Sequence, residues 1–296
     1  MQKRNLIKGY LFVIASGIVY GCMPLGAKLI YAEGVTSLSL VFLRNLLAVP
    51  FLALLTVLQG QSLKISLPSL GKTSLLALAG CTLTPTLLFS SYLFMASGTA
   101  TVFHFIYPAA VTIGSIIFLR QKVLKANIFC VLLCSVGLSL FFEPGSRIDP
   151  IGATLALLSG ITYASYIILL GSLSKKDISG FKLIFYIALI SSVFMLLICL
   201  AFRQLYFPVT VTGWVIAVLF ALAINIVAIL LFQVGTSYIG GQRAAILSTT
   251  EPVTSLIVGA VVFSEKLSIL SVIGSVLVLT SSVLIAILDA KKKSVG

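Results

Sequence analysis

The chain has 296 residues, of which 59% are hydrophobic and only 9% are charged, and its mean hydropathy is +1.19. These few polar residues cannot cover the surface of a water-soluble globule. The composition therefore predicts a membrane protein that crosses the bilayer several times. The net charge of +13 would suit nucleic-acid binding in a soluble domain. Here the basic residues lie mostly in short loops between apolar runs, which indicates topology, and no nucleic acid is expected as a partner.

Apolar segments follow one another along the whole chain. A hydrocarbon core about 30 Å thick needs roughly 20 apolar residues per helix. We therefore predict an all-α polytopic membrane protein without a cleavable signal peptide. Its ten transmembrane helices are expected near residues 9–31, 36–59, 73–95, 98–119, 125–142, 150–172, 179–202, 211–234, 241–263 and 268–288.

The basic residues are distributed unevenly between the two sides of such a bundle. With the N-terminus placed in the cytoplasm, 15 of the 20 Lys and Arg residues fall inside and 4 outside, while Arg44 lies within a segment. Positive charge is retained on the cytoplasmic side. The chain is thus predicted to be a multi-pass plasma-membrane protein with both termini in the cytoplasm.

The apolar pattern is written twice. Residues 16–20 (SGIVY) return as residues 159–163 (SGITY), and Pro108 returns as Pro252, with offsets of 143 and 144 residues. We therefore expect two five-helix repeats, an N-terminal one over residues 1–146 and a C-terminal one over residues 147–296. Because five is an odd number, the second repeat enters the membrane inverted relative to the first, as in many transporters.

Two signatures lie at related positions in the fourth and ninth segments. The first comprises residues 97–101 and 104–108, and the second comprises residues 241–245, 251–252 and 264–266. This pair resembles the paired signatures of the EamA family of the drug/metabolite transporter superfamily. The resemblance implies ten helices in five-plus-five repeats and transport of small metabolites, commonly amino acids and their relatives, through a central cavity.

The acidic part of this signature is present in one repeat only. Glu265 follows the ninth segment, whereas the repeat-related position carries Gln121. The two halves therefore depart from strict internal symmetry at this loop.

Glu251 is the acidic residue that lies deep in a predicted segment. An ionised side chain at the membrane centre costs on the order of 3 kcal/mol, so it normally faces protein or water. Glu251 either binds a substrate ammonium group or carries a proton, or it serves structurally by pairing with Arg44 or by bonding at the kink beside Pro252. Ser248 and Ser255 share its helix face.

The histidine at position 104 is the single histidine of the chain. The repeat register sets His104 opposite Ser248 and Tyr107 opposite Glu251. His104 and Tyr107 are three residues apart and share one helix face, so we expect these four side chains to approach one central space. The alternative for His104 is a buried ring that satisfies a neighbouring backbone carbonyl.

Four further residues interrupt the apolar segments. Arg44 neutralises Glu251, binds a substrate carboxylate, or snorkels toward an interface, which is the interpretation that its position favours. Asn225 bonds between helices or lines a pathway. Tyr20 and Tyr163, related by the repeat, either shape the cavity from opposite sides or simply pack.

Pro108 and Pro252 stand about midway along their segments. A proline removes a backbone donor and clashes with the preceding turn, so we predict a kink at each that frees carbonyls toward a cavity. An ordinary packing kink is the alternative for either proline alone.

The sequence lacks the residue patterns that catalysis and metal binding require. There is one histidine and no acidic pair within a segment, so no enzyme activity is expected. The cysteines show no Cys-x-x-Cys spacing and are interpreted as small packing residues, so neither a metal nor a cofactor is expected. These cysteines are Cys22, Cys81, Cys130, Cys134 and Cys199.

The sequence thus predicts a secondary transporter for small metabolites that works by alternating access. A lipid flippase and a passive facilitator or channel are the competing functions. The expected partners are a small-molecule substrate, membrane lipid and, as a coupling ion, protons; assembly as a homodimer is left open.

Overall fold

The structure, a computed structural model, describes residues 2–119, 125–140, 149–172, 180–239, 247 and 250–295. This part of the chain is helical and contains no strand. Its α-helices are α1 (Gln2–Gly21), α2 (Met23–Ala32), α3 (Ser37–Leu58), α4 (Leu67–Leu76), α5 (Thr84–Ser91), α6 (Ser97–His104), α7 (Tyr107–Leu119), α8 (Lys125–Ser139), α9 (Pro150–Ser172), α10 (Gly180–Ala201), α11 (Val211–Leu222), α12 (Ile229–Ile239), α13 (Thr250–Val262) and α14 (Ile269–Val295).

Six helical stretches of the described chain are long and apolar enough to cross a membrane. They are Leu6–Ala32, Ser37–Leu58, Leu67–Ser91, Pro150–Leu170, Gly180–Ala201 and Val211–Ile239. Shorter apolar helices cover Ile128–Ser139, Thr250–Val262 and Val272–Ser281. The prediction of an all-α membrane protein is confirmed, while the exact number of ten spans and the inverted repeats stay predictions.

Polar residues at the segment boundaries start the helices. The hydroxyl oxygens of Thr36, Ser66 and Thr210 accept hydrogen bonds from the backbone N–H three residues later, at the N-termini of α3, α4 and α11. Such caps satisfy donors that the first helical turn leaves unpaired. Gly34, with a φ of +82°, makes the turn between α2 and α3, a conformation that favours glycine.

Two helices contain π-helical segments, Ala77–Leu83 between α4 and α5 and Ala223–Ala228 between α11 and α12. Such widened turns are uncommon and occur frequently at functional sites. The first leads into Pro85, which has no N–H to offer the carbonyl of Cys81. That carbonyl accepts a hydrogen bond from Asn45 Nδ2 at 3.3 Å.

Helices from the two halves of the chain pack against each other. Helix α3 packs along α10, α8 along α14 and α6 along α13, while α1 contacts α12 and α13. Helix α9 in turn contacts α5, α6 and α7. The central helices therefore enclose a space between the halves, and α8 and α14 form a pair at the side.

The outward faces of the helices are apolar. Large side chains such as Leu54, Phe118, Leu132, Leu219 and Val261 are all more than half exposed. A soluble protein rarely exposes apolar patches of this extent. In a bilayer these faces contact lipid tails, as the hydropathy of the segments predicts.

The chain around the two prolines differs from a simple mid-helix kink. Helix α6 ends at His104 and α7 begins at Tyr107, so the helix is interrupted before Pro108, which lies in the first turn of α7. The position of Pro108 fits proline chemistry, because the first turn is where a missing N–H costs least. Pro252 is the third residue of the described part of α13, and the two residues before Thr250 lie outside the described chain.

Candidate functional site

A cavity of about 610 Å³ lies between the two halves of the bundle. Most of the site residues predicted from the sequence line it; they are Glu251, His104, Tyr107, Asn225, Arg44, Tyr20 and Tyr163. Ser248 lies outside the described residues. Helices from both halves contribute to the lining, so the cavity depends on how the halves pack.

Glu251 stands in the first turn of α13, where close helix packing holds its backbone. A Cβ added at Gly21 of α1 would lie 2.6 Å from the Glu251 carbonyl oxygen, and one at Gly17 would lie 3.3 Å from its nitrogen. Among the described residues, the salt bridge found is the one between Lys28 and Glu265. The Glu251 carboxylate thus faces the cavity without a basic partner from the described chain.

Arg44 lies inside the bundle and not at an interface. Its side chain is 7% exposed and lies over the Phe89 ring, 5.8 Å from the ring centroid. Its Nε is a buried donor without a hydrogen-bond partner among the described residues. The structure therefore differs from the favoured snorkelling interpretation and shows no ion pair with Glu251.

Asn225 belongs to the second π-helical segment and joins two helices. Its Nδ2 donates to the backbone carbonyl of Arg44 at 2.8 Å. On α3, Asn45 Nδ2 donates to the carbonyls of Val41 and Cys81, while its Oδ1 has no partner in the described chain. The polar wall around Arg44 is thus firmly positioned and still offers unpaired hydrogen-bonding atoms.

Aromatic rings form the wall around His104. The Tyr107 and Tyr163 rings meet edge to face with centroids 4.9 Å apart, and both lie within 6 Å of the His104 ring. Tyr166 stacks on Tyr163 at 5.7 Å. Rings at such distances attract each other, so this wall is packed and holds its shape.

The structure adds lining residues that the sequence analysis did not select. They include Gly80, Cys81, Phe89, Tyr166 and Gln233. Gly80 and Cys81 lie in a π-helical segment, where each turn contains an extra residue and the side chains point in a different direction from those of a regular α-helix. The lining extends to Gln233 and to Gly180, both exposed.

At the end of the bundle opposite Gln233 and Gly180, Glu265 joins helices from the two halves of the chain. Its carboxylate accepts hydrogen bonds from Lys28 Nζ at 2.7 Å, Ser97 N at 2.9 Å, Ser97 Oγ at 2.8 Å and Gly98 N at 3.2 Å. Two of these donors are free N–H groups at the start of α6, where negative charge is favoured. Burial alone raises the pKa of Glu265, but bonds from Lys28 and Ser97 outweigh it and hold that pKa below its ordinary value.

A second set of contacts joins the halves at this same end. The Glu33 carboxylate, after α2, accepts hydrogen bonds from the backbone N–H and the hydroxyl of Thr210 at the start of α11. Ser39 of α3 donates to the carbonyl of Gln204 and accepts from the N–H of Tyr206. We call this end, with Glu265, Glu33 and their partners, the fastened end.

The described chain contains no group of three or more His, Cys, Asp or Glu side chains able to hold a metal ion. The cavity offers instead a carboxylate, a guanidinium, an imidazole, an amide and several phenols. Together these groups suit non-covalent binding of a small polar molecule.

Comparison with solved structures supports the fold. One crystal structure superimposes with a TM-score of 0.63 at 14% sequence identity, covering 95% of this chain and 98% of that chain. At this identity the likeness shows the fold alone.

Three curated relatives carry transporter names. An uncharacterized transporter of Archaeoglobus fulgidus is 28% identical over 182 residues, 62% of either chain. One of Clostridium kluyveri is 21% identical over 292 residues, covering 94% of this chain and 92% of the relative. The uncharacterized transporter YcbK of Bacillus subtilis is 28% identical over 159 residues, half of either chain. The matches to the archaeal and Bacillus proteins thus span only 62% and 50% of those relatives.

A family model matches the chain twice, over residues 7–142 and 150–287. Together these matches cover nearly the whole sequence. They confirm the family resemblance that the paired signatures indicated. The helices, the cavity between the halves and the relatives agree with this result. The chain therefore belongs to the EamA-like transporter family.

Proposed function

We propose that this protein is a secondary transporter that moves small amino-acid-like metabolites across the plasma membrane by alternating access. The observation that carries the proposal is the central cavity with a buried guanidinium and a carboxylate that no described residue neutralises. Buried charges normally have partners. A substrate with an anionic and a cationic group supplies both, the carboxylate to Arg44 and the ammonium to Glu251.

The arrangement of the helices supports alternating access between inverted repeats. Helix α1 contacts α12 and α13, and in the repeat register these contacts correspond to those of α9 with α5 and α7. The two π-helical segments also occupy related positions, Ala77–Leu83 and Ala223–Ala228. Rocking of two such halves about a central site exposes that site to each side in turn.

The orientation follows from charge. The lining reaches exposed residues near the predicted cytoplasmic loop between α9 and α10, whereas the fastened end carries the predicted outer loops. Both termini are then cytoplasmic, and under this proposal the side of the cavity that reaches Gly180 and Gln233 is the cytoplasmic one.

Uptake into proteoliposomes tests this function. The purified protein is screened with radiolabelled amino acids and related metabolites, with and without a proton gradient. We expect saturable uptake of compounds that carry both an ammonium and a carboxylate group, and competition by analogues that lack either group should be weak. Acceleration by the gradient would identify protons as the coupling ion, and indifference would identify a facilitator or exchanger.

Two variants that each remove one arginine charge test the role of Arg44. Arg44→Gln is expected to weaken transport of the complete substrate by about 10-fold or more, as for the loss of a buried charged hydrogen bond. It should weaken transport of an analogue without the carboxylate much less. Arg203→Gln, an exposed arginine in the loop after α10, is the control and should transport normally.

The rival functions give different results in the same vesicles. Uptake that never saturates would indicate a channel, and movement of fluorescent lipid between leaflets without metabolite uptake would indicate a flippase. If Arg44→Gln weakened transport of the complete substrate and of the analogue without the carboxylate equally, the proposed role of Arg44 would be refuted.

A further inference from the structure

His104 ends α6 with its ring in the wall of the cavity and its Nδ1 against another helix. The residue is 5% exposed, and Nδ1 lies 2.8 Å from Ser159 Oγ of α9. A Cβ added at Gly160 would lie 2.6 Å from the His104 carbonyl oxygen. Because α9 approaches the His104 backbone so closely at this glycine, the preceding Ser159 is brought within reach of the ring.

The hydroxyl of Ser159 has a second close neighbour. Its Oγ lies 2.6 Å from the backbone carbonyl oxygen of Ala156, one turn earlier in α9. Two oxygens at this distance repel each other unless a proton lies between them, and a serine hydroxyl has one proton. Ser159 therefore donates to Ala156 and accepts from His104, which places a hydrogen on Nδ1.

A neutral imidazole with its hydrogen on Nδ1 carries a lone pair on Nε2. No hydrogen bond to Nε2 comes from the described residues. The neighbouring rings of Tyr107 and Tyr163 leave the imidazole little freedom to turn. The nitrogen that remains for a ligand in the cavity is thus an acceptor and not a donor.

We infer that His104 Nε2 accepts a hydrogen bond from an N–H group of the substrate, and that Ser159 is the positioning residue that fixes the tautomer needed for this contact. The inference rests on the proposed transport function, since it assumes that the cavity holds the substrate. It assigns the donor-bearing end of the substrate to the wall at the end of α6, which packs against α13, the helix that carries Glu251.

The tautomer is directly measurable because the chain contains a single histidine. The full chain, purified through a tag without histidine, is labelled with 15N-histidine and studied in detergent or lipid at neutral pH. The 15N shifts are expected to show a protonated Nδ1 and an unprotonated Nε2. A protonated Nε2, alone or together with Nδ1, would overturn the assignment without reference to any transport assay.

Ser159→Ala removes the acceptor that selects the tautomer. We expect the 15N shifts to move toward a ring protonated on Nε2, the form that neutral imidazole favours in water. Ser165→Ala is the matched control, because Ser165 lies on the same helix, is exposed and bonds its own backbone at Ile161. It should leave the shifts unchanged, and unchanged shifts in Ser159→Ala would refute the role of Ser159.

Transport kinetics then test the contact with substrate. For a transported amine, Ser159→Ala should raise KM by roughly tenfold with little change in the maximal rate. For an analogue whose nitrogen carries no hydrogen, the change should be small. Equal changes for both compounds would overturn the acceptor role, whereas absence of any metabolite transport by the wild-type protein would refute the proposed function and leave the tautomer measurement standing.

Discussion

Two carboxylates at opposite ends of α13 have opposite surroundings. Glu265, just beyond the end of the helix, accepts four hydrogen bonds and forms an ion pair with Lys28. Glu251, in the first turn, faces the cavity and receives no hydrogen bond or ion pair from the described residues. The fastened end of this helix is therefore next to a carboxylate with hydrogen-bond and ion-pair partners, whereas the cavity end carries a carboxylate that has none among the described residues.

The difference separates stability from binding. A carboxylate whose acceptor sites are filled stabilises the packing of the elements that supply the donors, here α2 and α6. One left unpaired in an apolar bundle costs free energy unless a ligand, water or a proton meets it. Replacing each acid should therefore disturb a different property of the protein.

The largest expected effect is on transport. Glu251→Gln should lower transport of an ammonium-bearing substrate by about 100-fold, because a charged hydrogen bond is lost inside the bundle, while the thermal unfolding midpoint stays close to that of the wild type. Initial uptake rates in proteoliposomes measure the first quantity. Asp149→Asn is the control, because Asp149 does not line the cavity and its Oδ1 accepts from the backbone N–H of Ile151 at the start of α9; equal loss of transport in both variants would break the comparison.

The next largest expected effect is a loss of stability in Gly259→Ala. A Cβ at Gly259 would collide with the Glu265 carboxylate, and its four hydrogen bonds leave that group little room to yield. Overpacking of this kind costs about 1–3 kcal/mol. The unfolding midpoint, followed with a dye that reacts with the buried cysteines, should fall by several degrees.

The control for this variant is Gly71→Ala in α4, where an added Cβ meets nothing within 4 Å. It should leave the midpoint unchanged or raise it slightly, because alanine favours the helix. A midpoint of Gly259→Ala equal to that of the wild type would mean that the fastened end is looser than its contacts indicate.

A smaller effect is expected for the charge pair itself. In a double-mutant cycle, Lys28→Met and Glu265→Gln should show a coupling free energy of about 1 kcal/mol, since the pair is partly exposed. Free energies of unfolding of the wild type, the two single variants and the double variant give this value. Strict additivity would assign the stabilisation to the donors of Ser97 and Gly98.

The smallest effect is a dependence of stability on pH. Because the pKa of Glu265 is lowered in the folded state, its contribution is complete above the ordinary glutamate pKa and is lost as pH falls through the lower folded value. The midpoint difference between wild type and Glu265→Gln should therefore shrink in acid. A difference that grows as pH falls would contradict this sign.

Much of the architecture was predictable because hydrophobicity records the bilayer directly. Six predicted segments appear as membrane-length helices, and polar residues within segments led to the cavity through Glu251, His104 and Asn225. The rotation of each helix was less accessible, since faces toward lipid and toward protein are both apolar. Arg44 was expected to snorkel for this reason, although packing buries it.

The repeated serines show where sequence information ends. Ser16 and Ser159 occupy the same place in the two copies of the repeated pattern, yet Ser16 Oγ donates to the carbonyl of Ala228 on another helix, 2.7 Å away. Ser159 instead bonds within its own helix and leaves its oxygen to His104. Local sequence is nearly identical, so only the partners brought by packing distinguish them.

The sequence by itself determined that the chain is a membrane protein, the approximate places of its helices and the few polar groups that they carry, because apolar length and buried charge are local properties with a large free-energy cost. The tertiary structure decided which carboxylate is satisfied and which is not, and which nitrogen of His104 lies against Ser159. Those outcomes depend on hydrogen bonds between residues far apart in the chain, whose distances only the packed helices define.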